Sequence, residues 1–179
     1  MLPIVVKGRE LFDERTETFI ETKDTTLHLE HSLMSLAKWE SKWHKPFLDE
    51  KTEKTNEEMK DYIRCMTITQ NVDPMVYESL TQKNIKEIRD YIDDPMTATW
   101  FNDKKPTQGR KKPVTAELIY YWMITLEIPF ECEKWHLNRL LTLIRVCNIE
   151  GSPKSKMSKT DIMKQNAMLN AQRKKARGH

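Results

Sequence analysis

The sequence predicts a mainly helical α+β protein, in which a small N-terminal antiparallel β-hairpin or patch precedes a bundle of about six helices. The first thirty residues alternate apolar and polar side chains and are rich in β-branched residues, which is typical of strands. From residue 31 onward, apolar residues recur every three or four positions, which is typical of amphipathic helices. We therefore expect a β-hairpin region at 1–30, a helical domain at 31–150 and a basic C-terminal helix or tail at 151–179.

The N-terminal region offers three strand-like runs. Leu2–Val6 is a short β-type run that ends near Gly8, and the runs Thr16–Thr22 and Thr25–Glu30 alternate with period two. Lys23-Asp24 is predicted to form the turn between the second and third runs. Because a small hairpin or three-strand patch is not stable alone, it has to pack against the helices.

Four helices are predicted between residues 31 and 95. The first carries the stripe Leu33, Leu36, Trp39 and Trp43 and ends before Pro46. Thr55–Glu58 reads as a capping box that starts the second helix. Asp73-Pro74 starts a short third helix, and Thr81 starts a fourth that Asp94-Pro95 closes.

The second half begins with a polar break and then becomes strongly apolar. Residues 97–113 contain two prolines, one glycine and five basic residues, so they are predicted to form an exposed loop. Leu118–Leu126 is apolar on nearly every side and is predicted to be a central helix buried all round. Pro129 restarts a helix that Gly151-Ser-Pro153 ends, and a last, weakly amphipathic helix is expected at Asp161–Lys175.

Several classes of function find no support in the residues. The sequence has only four glycines and no glycine-flanked serine, so it contains neither a phosphate loop nor a nucleophile elbow. An enzyme is therefore not expected. Cys132 and His136 form a possible half-site for zinc, but no second ligand pair completes it, and no metal or cofactor is expected. No apolar run is long enough to span a membrane, and the N-terminus does not resemble a signal peptide. The three cysteines are therefore expected to be reduced.

The charge is unevenly distributed. Residues 151–179 carry eight Lys/Arg and one acid, while residues 103–113 carry five Lys/Arg and one acid, which leaves an acidic remainder. Binding of nucleic acid through the basic loop, with Trp100 and Phe101 stacking on unpaired bases, is one hypothesis. The acidic body and the absence of a DNA-binding motif count against it, so a protein partner is favoured. Ten methionines support that interpretation, because flexible thioethers suit adaptable apolar contacts.

Three stretches together resemble a known family. They are Leu29–Leu48, Tyr120–Phe130 continuing into Lys134–Leu141, and Lys156–Lys159 with Leu169–Lys174, and the likeness covers most of residues 25–177. The chain resembles the tail assembly chaperones of long-tailed, siphovirus-like bacteriophages. That resemblance implies a small helical protein without cofactors that binds the tape measure protein in the host cytoplasm, with the major tail protein as a further possible partner. It carries over no catalytic residue.

A chaperone of this kind needs apolar groups on a soluble body, which suggests two candidate surfaces. The first consists of Trp39, Trp43 and Trp100, with Trp122 and Trp135 assigned to the core. The second is the basic tail, with Met163, Lys164, Leu169, Arg173, Lys174, Lys175 and Arg177. The alternatives are a structural or connector protein of the tail or neck and a nucleic-acid-binding helical protein. Whether the chain forms homo-oligomers stays open at the level of sequence.

Overall fold

The computed structural model describes residues 1–13, 17–101, 113–151, 163 and 166–168. The strands are β1 (Leu2–Val6), β2 (Glu10–Asp13), β3 (Thr18–Glu21) and β4 (Thr25–Leu29). The helices are α1 (Leu33–Trp43), α2 (Asn56–Met66), α3 (Met75–Glu78), α4 (Gln82–Asp93), α5 (Ala116–Thr125) and α6 (Leu137–Gly151), with a 3₁₀ helix at Phe130–Lys134. The predicted α+β class, with antiparallel strands followed by helices, is confirmed.

The chain divides into two compact units, Met1–Arg145 and Val146–His179. The first unit contains the strands, α1 to α5, the 3₁₀ helix and most of α6. In the second unit, the end of α6, Met163 and residues 166–168 are helical. No helix within the described ranges is long and apolar enough to cross a membrane.

The strands form one long antiparallel ribbon with an interruption. β1 pairs with β4 and β2 pairs with β3, and both pairs keep the same register, with Val6 opposite Thr25 and Glu10 opposite Glu21. At the interruption the Thr22 amide nitrogen still donates to the Arg9 carbonyl oxygen, at 2.9 Å. The ribbon therefore runs continuously from its base at β1 and β4 to its outer part at β2 and β3.

The predicted turn at Lys23-Asp24 is wrong. β3 and β4 follow each other along one side of the ribbon and do not pair, while Glu10–Asp13 forms a strand that the sequence pattern did not indicate. Asp24 instead holds the interruption together, because its Oδ1 accepts from the Gly8 amide at 2.8 Å and its Oδ2 accepts from Lys7 Nζ at 2.6 Å. The pairing of β1 with β4 is favoured because it buries apolar side chains of both strands in the core.

Gly8 is required where the two strands approach closely. A Cβ atom at this position would lie 2.2 Å from the Thr22 carbonyl oxygen. Because no side chain fits so close to a backbone oxygen, only glycine allows the strands to keep their register through the interruption.

The core lies between the base of the ribbon and the helices. Alternate residues of β1 and β4 are buried, namely Ile4, Val6, Leu27 and Leu29. β1 packs against α4, while α1 packs against both α2 and α5. The core is completed by fully buried helical side chains, among them Leu33, Leu36, Trp39, Tyr62, Met66, Ile88, Ile119, Met123 and Leu137.

Local capping starts three of the helices where the sequence predicts. In the confirmed capping box, Thr55 Oγ1 accepts from the Glu58 amide at 3.2 Å and Glu58 Oε2 accepts from the Thr55 amide at 2.8 Å. Thr81 makes an equivalent pair of bonds with Asn84 at the start of α4. At α3 the Asp73 carboxylate accepts from the Met75 amide at 2.9 Å.

The expectation that α5 is buried all round is wrong. Only Ala116, Ile119 and Met123 are buried, whereas Tyr121 and Ile124 are 61% and 62% exposed. The helix packs on one side against α1. Its uniformly apolar sequence therefore leaves apolar side chains uncovered on the opposite side within the first unit.

The segment after Pro129 forms two helical pieces. The 3₁₀ helix ends at Lys134, and Trp135 is extended, with φ −71° and ψ 162°. α6 then begins at Leu137, whose amide donates to the His31 carbonyl oxygen at 2.7 Å. The helical stripe from Leu137 through Leu140 to Ile144 is buried, as its spacing predicts.

Candidate protein-binding surfaces

Two amphipathic helices leave a groove between them, which we call the α2–α4 groove. It has a volume of about 290 Å³, and its apolar lining consists of Met59, Ile63, Leu80, Ile85, Ile88 and Ile92. Ile63 and Ile88 are buried and form its floor, while Met59, Ile85 and Ile92 are half-buried. The stripes that drive the two helices onto the core thus extend past the core into an open apolar depression.

The charged side chains that line the α2–α4 groove are cationic. Lys60 and Arg89 line it together with the neutral Asn56 and Gln82, and no acid is among these described lining residues. Lys60 Nζ also pairs with Glu78 Oε2 at 2.5 Å, whereas Arg89 is exposed at the edge. The groove therefore favours an apolar partner with acidic flanking residues.

A second apolar surface, the α5 face, consists of Tyr121, Ile124 and Phe130. Tyr121 and Ile124 are three residues apart and therefore neighbours on the helix surface. Phe130 is 54% exposed, and its ring lies 6.3 Å from that of Tyr120, measured between centroids. Exposed apolar residues scattered singly are normal, but three large ones on one short segment mark a candidate contact surface.

Acidic residues surround the α5 face. Glu117 lies four residues before Tyr121 on the same helix, Glu127 follows α5, and Glu131 lies in the 3₁₀ helix beside Phe130; all three are exposed. Tyr120 Oη donates to Glu133 Oε2 at 2.8 Å, and burial together with this carboxylate raises the pKa of Tyr120.

The cation nearest in sequence to the α5 face lines a different depression. Lys134 lies beside Ser32 and Lys38 there. The charges that border the α5 face on α5 and its connection are therefore negative.

The three tryptophans predicted to contact a client fall in three different environments. Trp39 is fully buried, and its Nε1 donates to the Glu58 carbonyl oxygen at 2.8 Å, so the prediction that it forms a binding surface is wrong. Trp43 is half-buried, and its Nε1 donates to Asp61 Oδ2 at 2.8 Å. Trp100 is 90% exposed and is accessible to a partner. Trp122 and Trp135, assigned to the core, are half-buried.

Most of the predicted tail surface lies outside the described residues. Met163 is helical and 73% exposed. The remaining tail residues named for binding fall outside the described ranges: Lys164, Leu169, Arg173, Lys174, Lys175 and Arg177. The same holds for the cations of the basic loop, which lie within 102–112. Phe101, at the edge of that loop, is stacked by the Arg145 guanidinium, 3.9 Å from the ring centroid.

The cysteines and histidines considered for a metal serve other contacts. His136 is buried, and its Nε2 lies 2.9 Å from the Tyr91 carbonyl oxygen. All three cysteines are free, and burial raises the pKa of the Cys65 and Cys132 thiols, which disfavours the thiolate. Across the described ranges, no three His, Cys, Asp or Glu side chains come together as metal ligands would.

Sequence reasoning missed both surfaces that the structure leaves uncovered. The sequence predicts both the helix that Thr81 starts and the apolar block that forms α5. Periodicity predicts which side chains face inward, but it does not tell whether a neighbouring element covers all of them. The signal available in the sequence was the charge beside each apolar run. Arg89 accompanies the apolar residues of α4, and Glu117 those of α5.

Compared with known protein families, with curated protein sequences and with solved structures, the chain matches none.

Proposed function

We propose that this protein is a tail assembly chaperone of a long-tailed bacteriophage, and that it binds apolar helical segments of the tape measure protein in the host cytoplasm. The resemblance of its sequence to that family suggests the class of function. The observation that carries the proposal is the α2–α4 groove, an apolar depression between two helices. A groove of this kind is the usual binding site for an amphipathic helix.

The lining of the groove suits a client that has to be released later. An apolar side chain that becomes fully buried contributes about 1.5–3 kcal/mol, so two or three client side chains suffice to hold a helix. Met59, Ile85 and Ile92 are already half-buried in the free protein, so each loses less exposed area on binding than a fully exposed side chain would. The smaller gain per residue keeps the binding reversible. Met59 adds an unbranched side chain that adapts to different client residues.

The cations at the groove indicate which helices it selects. Lys60 and Arg89 lie beside the apolar lining, so acidic residues that flank the apolar stripe of the client would strengthen binding. A client helix with basic flanks would be disfavoured by the same charges. The proposed client segment is therefore apolar along one stripe and acidic at its border.

Co-expression with the tape measure protein encoded beside it tests this proposal. A groove variant, Arg89→Glu with Ile92→Glu, should leave the tape measure protein in the insoluble fraction, whereas the unchanged chaperone should keep it soluble and co-purify with it. A matched control, Lys83→Glu with Lys86→Glu, adds negative charge to exposed positions of α4 outside the groove lining. Circular dichroism confirms that each variant is folded.

The proposal fails if the tape measure protein stays insoluble with the unchanged chaperone. If the protein then purifies with nucleic acid, the exposed Trp100 beside the basic stretch 103–113 becomes the leading site. If the groove variant keeps the tape measure protein as soluble as the control variant does, the client binds elsewhere on the protein.

A further inference from the structure

Helix α5 has a buried stripe and an exposed stripe. The buried stripe consists of Ala116, Ile119 and Met123. The exposed stripe runs along the other side of the helix at positions i, i+4 and i+7, and it consists of Glu117, Tyr121 and Ile124. Because residues three or four positions apart are neighbours on a helix surface, the exposed residues form one continuous strip with an acid at its N-terminal end.

The turn after α5 holds Phe130 beside this strip. Glu127 has a left-handed backbone, with φ 54°, and the Ile128 amide donates to the Met123 carbonyl oxygen at 2.8 Å. The chain therefore folds back, and the Phe130 ring lies 6.3 Å from the Tyr120 ring between centroids. The α5 face is thus formed in the single chain, before any partner is present.

Acids border the α5 face at both ends. Glu117 lies in the first turn of α5, whereas Glu127 and Glu131 lie beyond its C-terminal end, and all three are exposed. Within the described part of the chain, none of the three forms an ion pair. Arg139, a cation that follows them, stacks on the Trp135 ring, 4.1 Å from its centroid. The face therefore offers an acidic border that the cations of a partner can neutralise.

We propose that the α5 face is a docking site for an amphipathic helix of another protein, one whose apolar stripe is bordered by Lys or Arg. The apolar stripe of the partner covers Tyr121, Ile124 and Phe130, and its cations lie against Glu117 and Glu131. This inference does not rest on the proposed function, because it concerns a different surface and a partner of opposite charge.

Exposure and spacing provide the apolar part of the contact. Tyr121, Ile124 and Phe130 are 61%, 62% and 54% exposed, so most of their surface is buried only when a partner covers it. Aromatic side chains of this kind are enriched among the residues that contribute most to protein–protein binding. A helix that packs along α5 meets them with its own residues at i, i+3, i+4 and i+7, which is the usual pattern of helix docking.

The acidic border decides between possible partners. Lys and Arg side chains beside an apolar stripe can lay their methylene groups over Tyr121 and direct their charged ends to Glu117 or Glu131. A helix with an acidic border, or the α5 face of a second copy, would bring like charges together. Nucleic acid is disfavoured for the same reason, since its phosphates are anionic.

The α5 face and the α2–α4 groove thus select helices of opposite character. The groove carries Lys60 and Arg89 and favours acidic borders, whereas the face carries Glu117 and Glu131 and favours basic ones. The two surfaces share no residue. One copy of the protein can therefore hold two helices of opposite border charge.

Fluorescence anisotropy with labelled peptides tests the inference. A basic peptide of about 18 residues, long enough to form a helix, carries a Leu stripe with Lys and Arg beside it. It should bind the unchanged protein, and its affinity should fall as the salt concentration is raised. A basic peptide of the same composition with a scrambled stripe should bind about tenfold more weakly or less, because it cannot present its apolar residues together.

A face variant, Tyr121→Lys with Ile124→Lys, locates the binding site. It should weaken binding of the basic peptide by about tenfold or more, because it removes two central apolar contacts and places cations against cations. A matched control, Val5→Lys with Phe12→Lys, adds the same charge at two similarly exposed apolar residues of the ribbon and should bind like the unchanged protein. Circular dichroism again confirms folding.

A border variant, Glu117→Gln with Glu131→Gln, tests the charge without adding a repulsive group. Loss of two exposed charge pairs should weaken binding of the basic peptide by about threefold or more and should reduce its salt dependence. A matched control, Glu50→Gln with Glu53→Gln, makes the same change in net charge at exposed positions before α2 and should keep the affinity of the unchanged protein.

The inference is wrong if the basic peptide binds the face variant or the border variant as tightly as it binds their controls. It is also wrong if the unchanged protein does not bind the basic peptide; a molar mass in sedimentation that falls on the face substitutions would then assign the face to a second copy. The groove variant (Arg89→Glu, Ile92→Glu) should keep its affinity for the basic peptide. Loss of the peptide in the groove variant overturns this inference, whereas a tape measure protein that stays soluble with that variant overturns only the proposed client site.

Discussion

At the scale of single residues, a buried pair of histidines joins the strands to the helices. His31 Nδ1 lies 2.6 Å from Tyr62 Oη, His136 Nε2 lies 2.9 Å from the Tyr91 carbonyl oxygen, and the two imidazole rings are 5.1 Å apart between centroids. Burial, and to a smaller extent the neighbouring His136, lowers the pKa of His31 to about 3. The Glu30 carboxylate, next to His31 in the sequence, accepts from Tyr91 Oη at 2.7 Å.

This burial predicts a loss of stability in mild acid. His31 stays neutral in the folded protein, whereas in the unfolded chain it takes up a proton below pH 6.5. The free energy of unfolding should therefore fall between pH 6.5 and about pH 3, by about 1.4 kcal/mol per pH unit at most from this residue. Above pH 6.5 His31 contributes no pH dependence.

Urea unfolding at several pH values, with a His31→Gln variant, measures the effect. Since carboxylates also titrate in this range, the quantity to compare is the change in unfolding free energy between pH 7 and pH 5 for each protein. It should be smaller in His31→Gln than in the unchanged protein and in a His44→Asn control, whose histidine is exposed. An equal change in all three would show that His31 does not cause the acid sensitivity.

The tryptophans show what a sequence pattern predicts about single residues. Trp39 shares its stripe with Leu33 and Leu36, so the pattern that predicts α1 also predicts that Trp39 faces the core, as observed. The position of Trp39 in that stripe therefore argues against a role on a binding surface. Trp100 lies outside any stripe, in a polar stretch, and is exposed as that context indicates.

At the scale of elements, the start of α5 depends on a side chain from α1. Glu40 is buried, and its carboxylate accepts from the Ala116 amide at 2.7 Å and from the Phe47 amide at 2.8 Å. Thr115, at the N-cap position of α5, makes no side-chain capping bond. Burial raises the pKa of Glu40, while the two amide donors lower it. One carboxylate therefore caps α5 and fixes the chain after α1.

Replacing Glu40 by Gln should destabilise the protein although the shape hardly changes. The amide oxygen of Gln can accept one of the two bonds, but its NH₂ group would face the other N–H donor. A buried donor left without an acceptor costs about 1–3 kcal/mol, and we expect a loss of that size. Thermal unfolding of Glu40→Gln beside an exposed control on the same helix, Ser41→Ala, measures it. Equal stability of the two variants would contradict the capping role.

Elements with local signals were predictable, and those set by distant contacts were not. The Thr55–Glu58 box and the Thr81 N-cap predicted where α2 and α4 begin, because their bonds join residues three apart. The pairing of β1 with β4 joins residues up to 27 positions apart, as in Leu2 opposite Leu29, and no turn signal marks it. The cap of α5 by Glu40 joins residues 76 positions apart.

At the scale of the whole molecule, the ribbon has a buried base and an outer part in which Phe12 and Phe19 are exposed. Every second residue of β1 and β4 is buried, whereas Phe12 and Phe19 of β2 and β3 are exposed and contact each other at 5.1 Å between ring centroids. A two-stranded hairpin is marginally stable without further packing. The outer part should therefore open independently of the rest.

Hydrogen exchange of the backbone amides tests this difference in stability. Amides that pair within β2 and β3 should exchange much faster than those that pair β1 with β4, because Phe12 and Phe19 of the outer part are already exposed in the folded protein. The amides of α1 provide the reference for global unfolding. Equal protection in both parts of the ribbon would mean that the outer part is held by contacts beyond its own pairing.

The constant register of the ribbon also determines how a chain of this kind can vary in length during evolution. A single residue inserted into β1 or β4 would turn Ile4 and Val6, or Leu27 and Leu29, away from the core, since side chains alternate between the two sides. Insertions between Asp13 and Thr18, beyond the paired strands, leave that alternation untouched. Homologous chains should therefore differ in length first at this end of the ribbon, and they should conserve the spacing between Gly8 and β1.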